Sequence, residues 1–118
     1  PDDIKSDHPL SFLIGEIIRE KVLTFTSEEV PHCVAVKVEK VHKNNNAYVI
    51  DATIICERSS QKGIIIGAQG KMIKRIGMAA RKDIEALIGH KVNLSTYVRV
   101  EENWRDSLSS LKSLGYSE

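Results

Sequence analysis

Apolar residues recur along this chain with two different periods, and each change of period marks a new element. Leu10, Leu13, Ile14, Ile17 and Ile18 fall on one stripe at helical spacing, with Arg19, Glu20 and Lys21 largely off it. The spacing predicts a helix over 9–23, with Asp7 as its N-cap and Pro9 in the first turn, where a missing N–H costs nothing. Residues 1–8 read as a polar, linker-like start. Thr26-Ser27-Glu28-Glu29 reads as a short capped turn that Pro31 ends. From Cys33 to Val41 the period drops to two, with Val34, Val36 and Val38 on one face and Lys37 and Glu39 on the other. That is the pattern of a half-buried strand. Lys43-Asn44-Asn45-Asn46 is a turn, because Asn tolerates positive φ and bonds its own backbone. A second strand over 48–57 carries Tyr48, Ile50, Ala52 and Ile54 on one face. So short a connection makes the pair antiparallel. Matching the apolar faces pairs Val36 with Ala52 and Val38 with Ile50, or gives a register slipped by two. Cys33 and Cys56 then point to opposite faces, which favours two inert thiols over a disulfide.

The helical period returns in a short stretch, Gln61 to Ile66, which runs into Gly67-Ala68-Gln69-Gly70. A longer helix follows from Lys71 to Leu87 or Ile88, with Ile73, Ile76, Ala80, Ile84, Leu87 and Ile88 as its buried stripe and Gly89 as its stop. Val92, Leu94, Thr96, Val98 and Val100 alternate as a third strand. A last helix over 104–114 takes Asn103 as cap and Gly115 as stop, with Trp104 anchoring it on the sheet. The order is α-β-β-α-α-β-α, an α+β arrangement without internal repeats.

Composition narrows the class without choosing a function. The 118 residues, 42% hydrophobic and 28% charged, suffice for one domain around one core. No apolar run approaches the length of about 20 residues that a bilayer span needs. The opening Pro1-Asp2-Asp3 is acidic where a signal peptide would be basic. Two cysteines exclude a disulfide-dense scaffold. The expectation is a compact intracellular domain.

Charge is more informative in its placement than in its sum. The net charge is +1, yet Arg58, Lys62, Lys71, Lys74, Arg75, Arg81 and Lys82 fall in one segment with no acid between Glu57 and Asp83. Segregation of this kind is a local electrostatic footprint for a polyanion. Catalytic chemistry has little support beside it. His8, His32, His42 and His90 are scattered, and none stands at metal-ligand spacing from another His or Cys. Neither cysteine has a neighbouring base, and no Gly-x-x-x-x-Gly-Lys-Ser/Thr phosphate loop is present. The expectation is a chain that is not itself an enzyme and holds no cofactor or metal.

Within the basic segment, Gly63-Ile64-Ile65-Ile66-Gly67-Ala68-Gln69-Gly70-Lys71 combines features that suit a nucleic-acid backbone. Two glycines three apart let the chain turn sharply and approach a ligand without Cβ interference. The N–H groups opening the Lys71 helix attract phosphate. Lys62, Lys71, Lys74 and Arg75 add charge on both sides, with Arg58 upstream, and the isoleucine triplet offers bases an apolar wall.

This Gly-x-x-Gly between two helices, in an α-β-β-α-α-β order, resembles a type II KH domain, a fold with a three-stranded mixed sheet packed on helices. The blocks IIREKVL (17–23), EEVPHCVAV (28–36), ERSSQKGIIIGAQGKMIKRIGMAARKDIE (57–85), NWR (103–105) and LGY (114–116) make it similar to the C-terminal KH domain of the Era family of bacterial GTPases. The resemblance implies a KH domain over 9–118 and an N-terminal GTPase domain, with its GTP and Mg, outside this chain. It further implies binding to the single-stranded 3′ end of 16S ribosomal RNA beside a terminal hairpin, in maturation of the 30S subunit. A cytoplasmic monomer with peripheral membrane association is implied too. The parent GTPase domain and the small ribosomal subunit are the implied partners.

Gly67, Ala68, Gln69 and Gly70 match the family's clamp loop, and Ile64, Ile65 and Ile66 its apolar lead-in. Ala68 and Gln69 stand where the family usually has a lysine and a third glycine. One phosphate contact fewer flattens a single-strand salt slope by about 0.7. On this reading the loop backbone with Lys62, Lys71 and Lys74 holds phosphates, while Ile65, Ile66 and the adjoining strand edge receive bases. Tyr97 falls on the polar face of its strand. The alternative function is a KH-fold docking module for a ribosomal protein or for the parent GTPase domain.

Overall fold

The computed structural model describes residues 8–26 and 34–102. Helix α1 spans His8–Phe25 and buries Ile14, Ile18 and Val22, one residue per turn. Leu13, expected on the stripe, lies outside that line and is 47% exposed. The helix closes on Thr26, whose N–H and hydroxyl both donate to the Val22 carbonyl. Arg19 Nε donates to the Val34 carbonyl at 2.8 Å and fastens the helix to the start of the sheet.

Strands β1 (Ala35–Lys43) and β2 (Ala47–Cys56) form the antiparallel hairpin that the asparagine turn predicts. The register is the one slipped by two, with Val36 opposite Ile54 and Val38 opposite Ala52. It breaks after Val38, where one extra residue enters β1 and Lys40 and Val41 face Asp51 and Ile50. Strict alternation would have turned Val41 away from Val36 and Val38. The extra residue restores the phase, so Val41 is buried on the core face opposite Ile50.

Helices α2 (Ser59–Ile66) and α3 (Lys71–Ile88) carry the chain across to β3 (Lys91–Val100), which pairs parallel with β2 from Ala47 opposite Lys91 to Cys56 opposite Val100. A parallel pair requires such a crossover. The sheet order is β1-β2-β3, a mixed three-stranded sheet. Among the described residues the elements therefore match the expected α+β order. The helix at 104–114, the turn at 27–31 and Cys33 lie outside them.

The core is built from Ile14, Ile18 and Val22 of α1, Ile65 of α2, Ile76, Ala80 and Ile84 of α3, and the inward residues of the three strands. Leu87 was expected on the α3 stripe but is exposed, along with Ala86 and Gly89 beside it in the last turn. Cys56 is buried, its Sγ 3.6 Å from the Arg58 carbonyl and 3.7 Å from that of Arg99. Helices α1 and α3 lie antiparallel. Lys21 Nζ meets the Asp83 carboxylate at 2.6 Å, and the Arg75 guanidinium lies over the Phe25 ring at 4.3 Å.

Candidate nucleic-acid interface

The loop between α2 and α3 is held from both sides. At the start of α2, Gln61 is buried, and its Oε1 accepts from the N–H groups of Glu57 and Arg58, each at 3.0 Å. This fixes the helix entry and leaves the Arg58 side chain exposed at its N-cap. At its far end the Gly67 N–H returns to the Gly63 carbonyl at 2.8 Å, and Gly67 takes φ 76°, ψ 171°. An L-residue rarely occupies that region. A Cβ there would also stand 2.6 Å from Met72 Cβ and 2.9 Å from Met72 N. Only glycine lets the loop lie this close to the first turn of α3.

Ala68–Gly70 then form a single 3-10 turn in which Gln69 (φ 58°, ψ 25°) and Gly70 (φ 74°, ψ 15°) are both left-handed. Ala68 and Gln69 are exposed, so the Gln69 amide projects into solvent from a strained backbone. Around Gly70 the space is open, with nothing within 4 Å of a Cβ placed there. Gly70 is also the N-cap of α3, and no side chain caps that end. Of the N–H groups at this opening, that of Gly70 donates to the Gly67 carbonyl at 3.1 Å and that of Lys71 to the Ala68 carbonyl, while the positive end of the α3 dipole faces outward for an acceptor.

Charge reinforces this. Lys71 and Lys74, both exposed, occupy the first turn of α3, and that turn contains no acid. Cations at the positive end of a helix dipole lose stability that an acid would contribute, about 0.3–1 kcal/mol each. A phosphate bound at the turn reverses that sign. Lys62, half-buried on α2, stands on the other side of the loop.

The structure redistributes the remaining expected contacts. Ile65 is 0% exposed and belongs to the core, so it does not receive a base. Ile64 is half-buried and packed against that core as well. A triplet on a helix cannot face one way, since successive residues turn by about 100°. Ile66 is half-buried and remains at the loop, the one member not packed against the core cluster. Arg75 is exposed, but its guanidinium is turned to Phe25 on α1. Tyr97 stands 56% exposed on the polar face of β3, as its parity predicts.

One relation lay beyond sequence reasoning. A Cβ at Gly77 would come 4.0 Å from Thr96 Oγ1, so the α3 flank holding Gly77 faces β3. Lys74 and Arg81, one turn to either side of Gly77, share that flank. The only signal in the sequence was their spacing of seven.

A two-layer α+β unit whose mixed sheet is crossed over by two helices joined through a glycine-bounded, cation-flanked loop defines a KH domain. The KH domain family matches residues 29–105, and the chain belongs to that family. Over 118 residues it is 56% identical to the GTPase Era of Lacticaseibacillus paracasei, spanning 99% of this chain and 39% of that protein. It also superposes on a variant of Aquifex aeolicus Era bound to GDP.AlF4- with a TM-score of 0.87 at 38% identity, covering 93% of this chain and 38% of that one. Against a second structure, Era in complex with MgGDPNP and nucleotides 1506–1542 of 16S ribosomal RNA, the TM-score is 0.88 at 38% identity, covering 93% and 37%. The chain thus spans about two-fifths of the length of the Era proteins it matches.

Proposed function

We propose that this chain is the RNA-binding KH domain of an Era-type GTPase, clamping the single-stranded 3′ end of 16S ribosomal RNA during maturation of the small subunit. The observation that carries this reading is the Gly67–Gly70 loop: a left-handed turn ending in an uncapped helix, with Lys71 and Lys74 in that helix's first turn. The complex of a related Era with a 16S ribosomal RNA segment supports it.

On this reading the loop brings phosphates to the positive end of the α3 dipole, beyond the N–H groups of Gly67, Gly70 and Lys71 that already bond within the turn. Lys62, Lys71 and Lys74 neutralise those phosphates and fix the strand's path. Ile66 gives one base an apolar contact. The outer edge of β3, unpaired among the described residues, offers backbone groups to unstacked Watson–Crick edges. Gln69 supplies an uncharged donor and acceptor inside the loop, where Ala68 and Gln69 replace the family's usual lysine and third glycine.

GTP and Mg belong to the portion of the Era relatives that this chain does not span. The small ribosomal subunit and that GTPase portion are its partners, and the domain acts as a cytoplasmic monomer with peripheral membrane association of the whole protein. Catalysis lies outside the KH domain.

The test is a titration of the chain with a short single strand from the 3′ end of 16S ribosomal RNA and with a scrambled strand, at several salt concentrations. The expected result is preference for the cognate strand and a log–log salt slope of about −2, from three neutralised phosphates. Equal affinity for both strands with no salt dependence would leave the loop as a turn, and docking to protein would take its place.

A further inference from the structure

Helix α1 turns a face to solvent on which apolar and acidic residues stand together. Its β1 side is marked by Gly15, where a Cβ would stand 3.5 Å from the Val36 carbonyl, and by the Arg19 hydrogen bond to Val34. Its α3 side is marked by Lys21 against Asp83. At about 100° per residue, Phe12, Leu13, Glu16 and Glu20 fall on the arc between those sides, away from buried Ile14 and Ile18. Phe12 and Leu13 are 53% and 47% exposed. Leu87, 45% exposed, joins them. It lies one turn beyond Asp83 on α3, and in the antiparallel pair that turn stands beside Ile17, one turn before Lys21 and one after Leu13. Periodicity assigns both Leu13 and Leu87 to buried stripes, yet the folded domain leaves both in water. Large apolar side chains exposed side by side mark an interaction surface, unlike ones scattered singly.

The carboxylates on this face are uncompensated. Among the described residues neither Glu16 nor Glu20 takes part in a salt bridge. The cations nearest them in sequence are engaged, Arg19 at the Val34 carbonyl and Lys21 at Asp83. The seven residues leading into α1 add three aspartates against one lysine. Such a field repels nucleic acid and anionic lipid, and it attracts a cationic polypeptide. Its sign is opposite to that of the clamp. The two surfaces are also apart, since Phe12 lies roughly 20 Å along α1 from Phe25, the residue that meets Arg75.

We infer that Phe12, Leu13 and Leu87, with Glu16 and Glu20 beside them, dock a basic, Lys/Arg-rich protein segment that also carries apolar side chains. Its apolar residues cover the patch and supply the affinity, while its cations meet the two carboxylates and set its orientation. The site goes beyond the clamp reading and does not depend on it, because it takes protein where the loop takes RNA and both are filled at once.

The test titrates the 118-residue chain with a helical peptide of leucine and lysine and with an all-lysine peptide of the same charge. The variants are Phe12→Ser/Leu13→Ser, Glu16→Gln/Glu20→Gln and Glu102→Lys, the last making the same change in net charge at an exposed position elsewhere. Melting temperature and affinity for the short cognate RNA are measured alongside, and both should match the unsubstituted chain in every face variant. The unsubstituted chain should bind the leucine–lysine peptide about a hundredfold more tightly than the all-lysine one. Phe12→Ser/Leu13→Ser should lose that preference. Glu16→Gln/Glu20→Gln should weaken binding about tenfold and remove most of its salt dependence, while Glu102→Lys should bind as the unsubstituted chain does. No binding of the leucine–lysine peptide, or equal binding by the chain and both face variants, would overturn the site. So would a rival occupant of the same patch, seen as an effect that Phe12→Ser/Leu13→Ser abolishes. Concentration-dependent dimers in sedimentation would assign the patch to a second copy, and binding to phosphatidylglycerol vesicles would assign it to lipid. Displacement of the peptide by the GTPase portion of the Lacticaseibacillus paracasei relative would assign it to a contact within the whole protein.

Discussion

At Gly67 a Cβ would collide with the backbone and side chain of Met72, whereas at Gly70 it would project into open space. The two glycines of one motif therefore serve different ends, and substitution should separate them. Gly67→Ala combines a Gly-only conformation with a contact that cannot relax cheaply. It should lower stability by about 3 kcal/mol in denaturant unfolding. Gly70 is left-handed but unobstructed, so Gly70→Asn should cost only about 1 kcal/mol. Lys71 illustrates a different conflict. It sits at the positive end of α3, where an acid would be better for the fold. Lys71→Glu should raise stability by about 0.5 kcal/mol while weakening RNA binding. If stability fell instead, the first turn would not be carrying the electrostatic burden assigned to it.

Between elements, the α1–α3 contact positions the loop helix on the sheet. Arg75 contributes there through Phe25, so Arg75→Ala should lose about 0.5–1 kcal/mol of stability and leave the RNA salt slope unchanged. Lys21 contributes through Asp83, whose carboxylate accepts its hydrogen bond and raises the ammonium's pKa above the ordinary lysine value. A raised folded pKa gives a contribution that is complete below the unfolded value, about 10.4, and fades as pH climbs through the folded one. The stability difference between the parent and Lys21→Met should therefore be constant around neutral pH and shrink only once pH has climbed past the ordinary lysine value. A difference that already vanished near neutrality would exclude the ion pair as its source. Much of this level was legible in the sequence. The period of apolar residues located each described helix and strand, and the asparagine turn fixed the hairpin. The break after Val38 was not legible, because alternation continues through Lys37 and Glu39 and only Val41's burial against Ile50 reveals the extra residue. Ile65 was misplaced for a related reason. Three adjacent isoleucines show that a surface is apolar without showing which of them points inward.

Across the molecule, the segregated charge of the sequence becomes geometry. Lys62, Lys71 and Lys74 gather at the loop, Arg75 turns to α1, and Arg81, just past the middle of α3, lines a groove with His90 and with Lys91 of β3. Sequence could name the loop as a candidate because the glycines, cations and apolar lead-in are contiguous. It could not place Arg81 with His90 and Lys91, since that grouping depends on how α3 returns to β3. The central claim, that the loop holds phosphate through its backbone and its field, is tested most directly by one ratio. Gly70→Asp and Gly70→Asn have nearly the same shape and the same tolerance of left-handed backbone, and they differ by one negative charge at the phosphate position. Their affinities for the short cognate RNA should differ at least tenfold, with Gly70→Asn retaining binding and Gly70→Asp losing it. Equal affinities would contradict the account and remove phosphate from this loop.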